Sequence, residues 1–285
     1  MALPAVGSEI SMLDIATEFG GVAPYALSDY YGDGNAPASG EIQMSADFGG
    51  TSAVSPISAT GGTTSTSGNF KFHTFTSGGT FSISQVASGS FSNTLSVLLI
   101  AGGGGGAPCQ GNSGSRPGGG GGAGGYRELS ITATTGNKTV TIGAGGAAQT
   151  TRSAGGNNGS NSSYNGNSAT GGGGGSSFSA ANNGGSGGGA NDYEESGGSG
   201  NAGGYSPVEG YDGGGAPKRR TSGGGGGASE AGFSINLTNR GGAGGDGRTW
   251  SLNSTAYAGG GGGGGEDFAG SGGAGGGGGG GAGYY

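Results

Sequence analysis

The chain has 285 residues, 84 of them glycine, with 29 % apolar and 9 % charged residues, a composition that excludes both an ordinary globular enzyme with an oily interior and a charge-rich disordered chain. Its 17 acids against 10 bases give a net charge of -7, which argues against a nucleic-acid binder, because phosphate affinity comes mainly from basic side chains. One cysteine, Cys109, and one histidine, His73, exclude an intramolecular disulfide framework and a dense histidine metal site.

The first 7 residues lack the basic start and apolar run of a secretory signal, and no stretch approaches the roughly 18 apolar residues of a membrane helix. Synthesis in the cytosol without membrane insertion is expected. Residues 1–100 hold 14 glycines and the remaining 185 residues hold 70, so the organisation changes near Gly102.

Residues 1–50 contain a near repeat, in which Glu9-Ile10-Ser11-Met12 is echoed by Glu41-Ile42-Gln43-Met44 and each copy continues to Phe-Gly-Gly, at Phe19 and Phe48. Ser11 can cap a helix on which Met12, Ile15 and Phe19 share one face at spacings of three and four. Between the copies lie Tyr30 and Tyr31. Helices of about two turns are unstable alone, so these apolar faces must dock on each other or on a partner.

Residues 51–68 read as a Ser, Thr, Gly and Ala linker, and residues 69–143 as a small β module. Strands are predicted at 70–75, 80–86, 94–101, 126–134 and 138–142, where β-branched and aromatic residues are separated by turn residues. Thr135-Gly136-Asn137 is predicted to tip a hairpin joining the last two.

From residue 144 to 285 the aliphatic residues are Val208, Ile235, Leu237 and Leu252 alone. Their burial cannot offset the entropy of ordering such a segment, so the backbone itself must be the packing surface. Glycine runs recur at 171–175, 184–189, 197–204, 213–215, 223–227, 241–245, 259–265 and 270–283. A polyproline-II strand of glycine has three residues per turn and no internal hydrogen bonds, and only glycine lets such strands approach closely enough to satisfy one another. The expected fold class is therefore mainly β or irregular, with short N-terminal helical modules, a small β module and a C-terminal polyglycine-II bundle at 144–285. Spacers between runs would alternate between the two ends of the bundle. They carry Tyr193, Tyr205, Tyr211, Trp250, Tyr257 and Phe268 among Asn, Ser, Asp and Glu, a paratope-like mixture suited to partner contact or to closing the bundle ends.

Signals for covalent chemistry are weak. His73 falls in a predicted strand among Phe70, Phe72 and Phe75, and Cys109 has no second imidazole to activate it. No GxxxxGK[ST] pattern occurs, and Asp33, Glu194, Glu195, Glu266 and Asp267 lack EF-hand spacing. No enzyme activity, cofactor, metal or nucleic-acid partner is expected. Lys218-Arg219-Arg220 is the one basic cluster, either a solvated loop apex or a contact for anionic sugars or phosphates.

Ser28-Asp29-Tyr30-Tyr31-Gly32 and the paired Glu-Ile-x-Met segments resemble modules of bacteriophage tail-fibre and other virion appendage proteins. The text from Phe75-Thr76-Ser77-Gly78-Gly79 through Val97-Leu98-Leu99-Ile100-Ala101 to Val140-Thr141-Ile142-Gly143 is similar to the phage glycine-rich domain family, and the alternation of glycine blocks and spacers to the tail-fibre tip adhesins of T-even-like phages. The resemblance implies a virion appendage adhesin, displayed on the particle exterior. Met12, Ile15, Phe19, Tyr30, Tyr31, Met44 and Phe48 would dock on other virion proteins, and the C-terminal aromatics would meet a host surface protein or polysaccharide. The alternative is a structural virion component of the baseplate, neck or head fibre, whose loops touch other virion proteins.

Overall fold

The computed structural model describes residues 12–20, 55–109, 116–150, 154–177, 179–192, 196–237 and 239–276. Among them the architecture is mainly β and irregular, with one helix, α1 (Met12–Phe19), and small sheets. The strands are β1 (Ser58–Thr60), β2 (Thr63–Ser67), β3 (Phe70–Thr74), β4 (Gly79–Gln85), β5 (Thr94–Ile100) and β6 (Tyr126–Thr132). They continue with β7 (Gly136–Thr141), β8 (Ser162–Tyr164), β9 (Asn167–Ala169), β10 (Arg248–Trp250) and β11 (Thr255–Tyr257). The chain divides into two compact units, one of residues 1–60, 82–95 and 131–136, the other of 61–81, 96–130 and 137–285.

In the smaller unit, α1 ends at Gly20, whose φ of +80° is the left-handed cap that glycine adopts without a Cβ penalty. Ile15 is fully buried and Phe19 half-buried, as the shared face requires. The echo of this segment, with Met44 and Phe48, lies outside the described residues, as do Tyr30 and Tyr31. β1 pairs antiparallel with the second half of β4, placing buried Ala59 opposite buried Ile83. Asn93 ties two further segments together: its Oδ1 accepts from Ala87 N at 3.2 Å and its Nδ2 donates to Ala133 O at 3.1 Å.

Two strands form inside the stretch expected to be a linker. β2 is exposed along its whole length and pairs residue by residue with β3, so β-branched threonines and ladder hydrogen bonds hold it without burial. The predicted 135–137 hairpin is also corrected. β6 pairs with β5 and not with β7, while β7 joins the order β1-β4-β7-β8-β9, so the turn at Gly136 carries the chain from one sheet to another. The aliphatic strand β5 claims β6 as its partner, and Tyr164 of β8 stands opposite Val140 of β7.

The larger unit has two kinds of interior. One is aromatic: Phe81 is buried, with the His73, Phe75 and Tyr164 rings edge-on at 5.0, 6.4 and 6.1 Å between centroids. The other is made of glycine runs that are neither pleated strands nor helices, and residues 222–228 show its logic. The amides of Gly223 and Gly226 donate to Ala190 and Gly187, those of Gly224 and Gly227 to Phe233 and Glu230, and those of Gly225 and Ala228 to Gly261 and Ala258. The carbonyls of Gly223 and Gly226 accept from Gly120 and Ala123, those of Gly224 and Gly227 from Gly214 and Tyr211, and those of Ser222 and Gly225 from Gly242 and Gly245. Each neighbour is met every third residue, whereas a pleated strand alternates by twos.

Residues 117–126 are buried throughout and bond into the same array, Gly119 and Gly122 donating to Ser176 and Gly173. Alanine and serine enter the runs only where a small side chain fits: Ala190 and Ala228 are fully buried, and buried Ser186 and Ser222 donate their hydroxyls to Gly227 O and Gly264 O. At most other run positions, Gly225 among them, a Cβ would collide with neighbouring backbone. The main-chain accounting demanded of any buried segment is thus met by lateral bonds between distant runs.

Candidate functional site

Because successive runs pass up and down, the spacers of the larger unit gather at two ends. At one, the strand end, residue 228 bonds residue 258, Tyr126 N donates to Glu209 O, and the hairpins β8–β9 and β10–β11 lie with the loop 201–209. At the opposite end Asp192 N donates to Thr221 O, Asn191 bridges Ser222, and Arg240 bridges Phe268.

This arrangement separates the candidate aromatics. Tyr205, Tyr211, Trp250 and Tyr257 belong to the strand end, and Phe268 to the opposite end. Tyr193 lies outside the described residues, next in sequence to Asp192 of the opposite end.

The strand end is the more constructed. Tyr205 is fixed from three sides: its amide donates to Asn201 Oδ1 at 3.1 Å, its hydroxyl is 3.0 Å from Ser168 Oγ, and the Arg127 guanidinium carbon sits 3.6 Å from the ring centroid. Arg127 also donates to the Ser168 carbonyl. Behind this loop Glu209 is fully buried, its Oε2 accepting from Thr170 N at 2.9 Å and its Oε1 from Gly203 N at 3.2 Å. A buried carboxylate is tolerated because backbone amides replace its water.

Tyr126, the first residue of β6, is almost fully buried and donates its hydroxyl to Glu128, with the Arg248 guanidinium 5.4 Å from its ring. Burial first, and then the Glu128 hydrogen bond and charge, push the Tyr126 hydroxyl pKa well above the ordinary tyrosine value, and burial raises that of Tyr164. Next to Tyr126 a cavity of about 230 Å³ is bounded by Arg127, Leu129, Pro207 and Arg248. A second, of about 150 Å³, is bounded by Val97, Trp250 and Leu252, and Glu128 and Leu129 line both. The two cavities form one groove along β6. Trp250 also packs on Phe72, ring centroids 5.7 Å apart and nearly perpendicular.

The opposite end is held by charge. Arg220 N donates to Asp192 Oδ1 at 2.6 Å, Arg220 Nη1 lies 3.0 Å from buried Glu266, and Arg116 lies 3.4 Å from buried Asp192. Arg220 is therefore a structural member of the basic cluster, while Lys218 and Arg219 are exposed. Phe268 and Leu237 are the most exposed large apolar residues described, and the Arg240 guanidinium covers the Phe268 ring at 4.7 Å.

His73 stands in β3, with Nδ1 2.7 Å from Gly61 O, and Cys109 is half-buried. Among the described residues no cluster of His, Cys, Asp and Glu could hold a metal ion, and no helix is long and apolar enough to cross a membrane.

Sequence reasoning missed Arg127, Glu128, Arg248, Asn201 and Glu209. The hairpin that supplies Ser168 was nevertheless signalled by Asn165-Gly166 between short polar strands, and both residues adopt the positive φ of a two-residue turn, 47° and 84°. No comparable signal marks which acid of a glycine-rich spacer will be buried.

Fold and site together define a glycine-run scaffold that carries irregular loops at both ends. The glycine-rich domain family model matches residues 76–285, and the chain belongs to that family. No curated protein and no solved structure matches it.

Proposed function

We propose that this chain is a phage virion appendage protein, of a tail fibre or its tip, that recognises the host envelope through loops held on a polyglycine-II bundle. The observation that carries the proposal is the three-residue bonding period of residues 222–228, which engages a different run with each successive amide. That period is the one expected of side-chain-free helices with three residues per turn. A scaffold so bonded is stiff without an oily core, and loops on a stiff support lose little entropy on binding.

Strands β5 and β6 lead into the bundle at one end, so the opposite end, with Phe268, Leu237 and Arg240, would face the host. The strand-end residues Tyr205, Tyr211, Trp250 and Tyr257 would form a lateral contact surface. Met12, Ile15, Phe19, Tyr30, Tyr31, Met44 and Phe48 would belong to the region that docks on other virion proteins. No covalent chemistry is involved.

The packing of Trp250 on Phe72 favours a second reading for the strand end, in which its rings close a junction within a structural virion component. Exchange of residues 236–240 and 265–269, or of 205–212 and 246–258, between related phages separates the two. Altered host range with either exchange supports the adhesin; unchanged host range with both assigns the protein to the structural class.

A further inference from the structure

We infer that the groove along β6 is a binding site for an acidic glycan, taking the carboxylate of a hexuronic acid residue between Arg127 and Arg248 and a neighbouring neutral sugar against Trp250. The larger cavity is lined by two arginines, Arg127 and Arg248, and one acid, Glu128, on a chain whose net charge is -7. The carboxylate, Glu128, accepts the Tyr126 hydroxyl and keeps its charge, so the two arginines leave the cavity with a net positive charge of one.

Arg127 has its guanidinium carbon over the Tyr205 ring and uses one terminal nitrogen on the Ser168 carbonyl. Arg248 lies near the Tyr126 ring. Guanidinium groups already resting against rings suit the planar, two-oxygen geometry of a carboxylate and lose little further side-chain freedom on binding one. Leu129 and Pro207 provide the apolar surface on which the C–H face of a pyranose can lie.

The adjoining cavity differs in character. Ser96, Ser130 and Ser251 supply hydroxyls and Trp250 an indole, with Glu128 only at the shared boundary. Aromatic area with hydroxyl donors and acceptors is the chemistry of a neutral sugar ring. Each cavity is below the roughly 300 Å³ at which drug-sized pockets begin, which fits a chain of single rings laid along a groove better than one bulky ligand. Tyr205, fixed by Asn201 and Ser168, holds Arg127 of the cavity lining in place, so this part of the site is organised before binding.

The inference stands on the groove and not on a virion location; its failure would leave the opposite-end loops as host contacts, and a failure of host attachment would leave the groove intact. The test is titration calorimetry of the full chain with tetrasaccharides of alternating hexuronic acid and N-acetylhexosamine or neutral hexose, beside their carboxyl-reduced counterparts. The acidic sugars should bind at least about tenfold more tightly than the reduced ones, a gap of about 1.4 kcal/mol. Arg248→Gln should remove that preference, with the melting temperature checked to exclude unfolding, and Arg248→Lys should restore part of it. Equal affinity for acidic and reduced sugars, binding by none of the acidic set, or an unchanged preference in Arg248→Gln would overturn the inference.

Discussion

Replacing Gly225 by alanine tests the central packing claim, because this residue sits where the array is fully enclosed. Its amide donates to Gly261 O, its carbonyl accepts from Gly245 N, and an added Cβ would lie under 3.0 Å from Gly121 O, a separation real Cβ atoms essentially never show. The obstacle is backbone, which cannot rotate aside as a side chain would. Overpacking costs roughly 1–3 kcal/mol, and each buried amide or carbonyl pulled from its partner adds roughly 1–3 kcal/mol. With one or two bonds lost and the middle of each range, the total is about 4–6 kcal/mol, much of the roughly 5–15 kcal/mol that stabilises a typical domain. At Gly103 the same substitution meets nothing closer than Gly122 O at 3.6 Å, an ordinary contact. Gly103→Ala should therefore stabilise by about 0.4–1 kcal/mol through the unfolded chain. In scanning calorimetry Gly225→Ala should lower the melting temperature by about 10–15 °C and Gly103→Ala should raise it by about 1–3 °C. If both variants melt alike, or Gly225→Ala melts with the parent, close lateral packing of the runs is not what holds the unit together.

Further outcomes concern the loops and the titrating groups. Glu209→Gln leaves an amide that can accept through one atom only, so the amide of Thr170 or Gly203 loses its acceptor; a destabilisation of about 2–3 kcal/mol is expected, with faster hydrogen exchange at Gly203 and Tyr205, and unchanged exchange would refute the role. The raised pKa values of Tyr126 and Tyr164 mean that the folded state favours their neutral form. Their contribution to stability is therefore complete below about pH 10 and declines above it, as the unfolded chain releases protons that the folded chain retains. A denaturant midpoint measured against pH, with tyrosinate absorbance of the folded protein, checks this; ionisation of every tyrosine near pH 10 while folded would contradict it. Arg220→Ala strands Glu266 beside a half-exposed gap and should cost about 1–2 kcal/mol. A double-mutant cycle with Glu266→Gln should return a coupling near 1 kcal/mol, and zero coupling would show the pair to be incidental.

Several elements were legible in the residue order alone. Met12, Ile15 and Phe19 marked α1, and the strands around Phe72, Phe81, Val97, Tyr126 and Val140 were marked by their β-branched and aromatic text, because these are local patterns. The exposed threonines of β2 carried no burial signal, and the partner of β6 was misjudged because a nearby turn favours a hairpin only until a better apolar strand, here β5, competes for the same edge.

Composition by itself determined that side chains could not form the interior of the glycine region, since four aliphatic residues are spread over residues 144–285. It could not determine which run neighbours which. Glycine carries no side chain to distinguish one run from another, so the pairing of Gly225 with Gly261 and of Gly223 with Ala190 was decided by the connections and by the few alanines and serines that fit. That tertiary arrangement also decided the site. Spacers distant in sequence meet only because alternate runs end on the same side, which brings Arg127, Pro207 and Arg248 to one groove and leaves Phe268 at the other end.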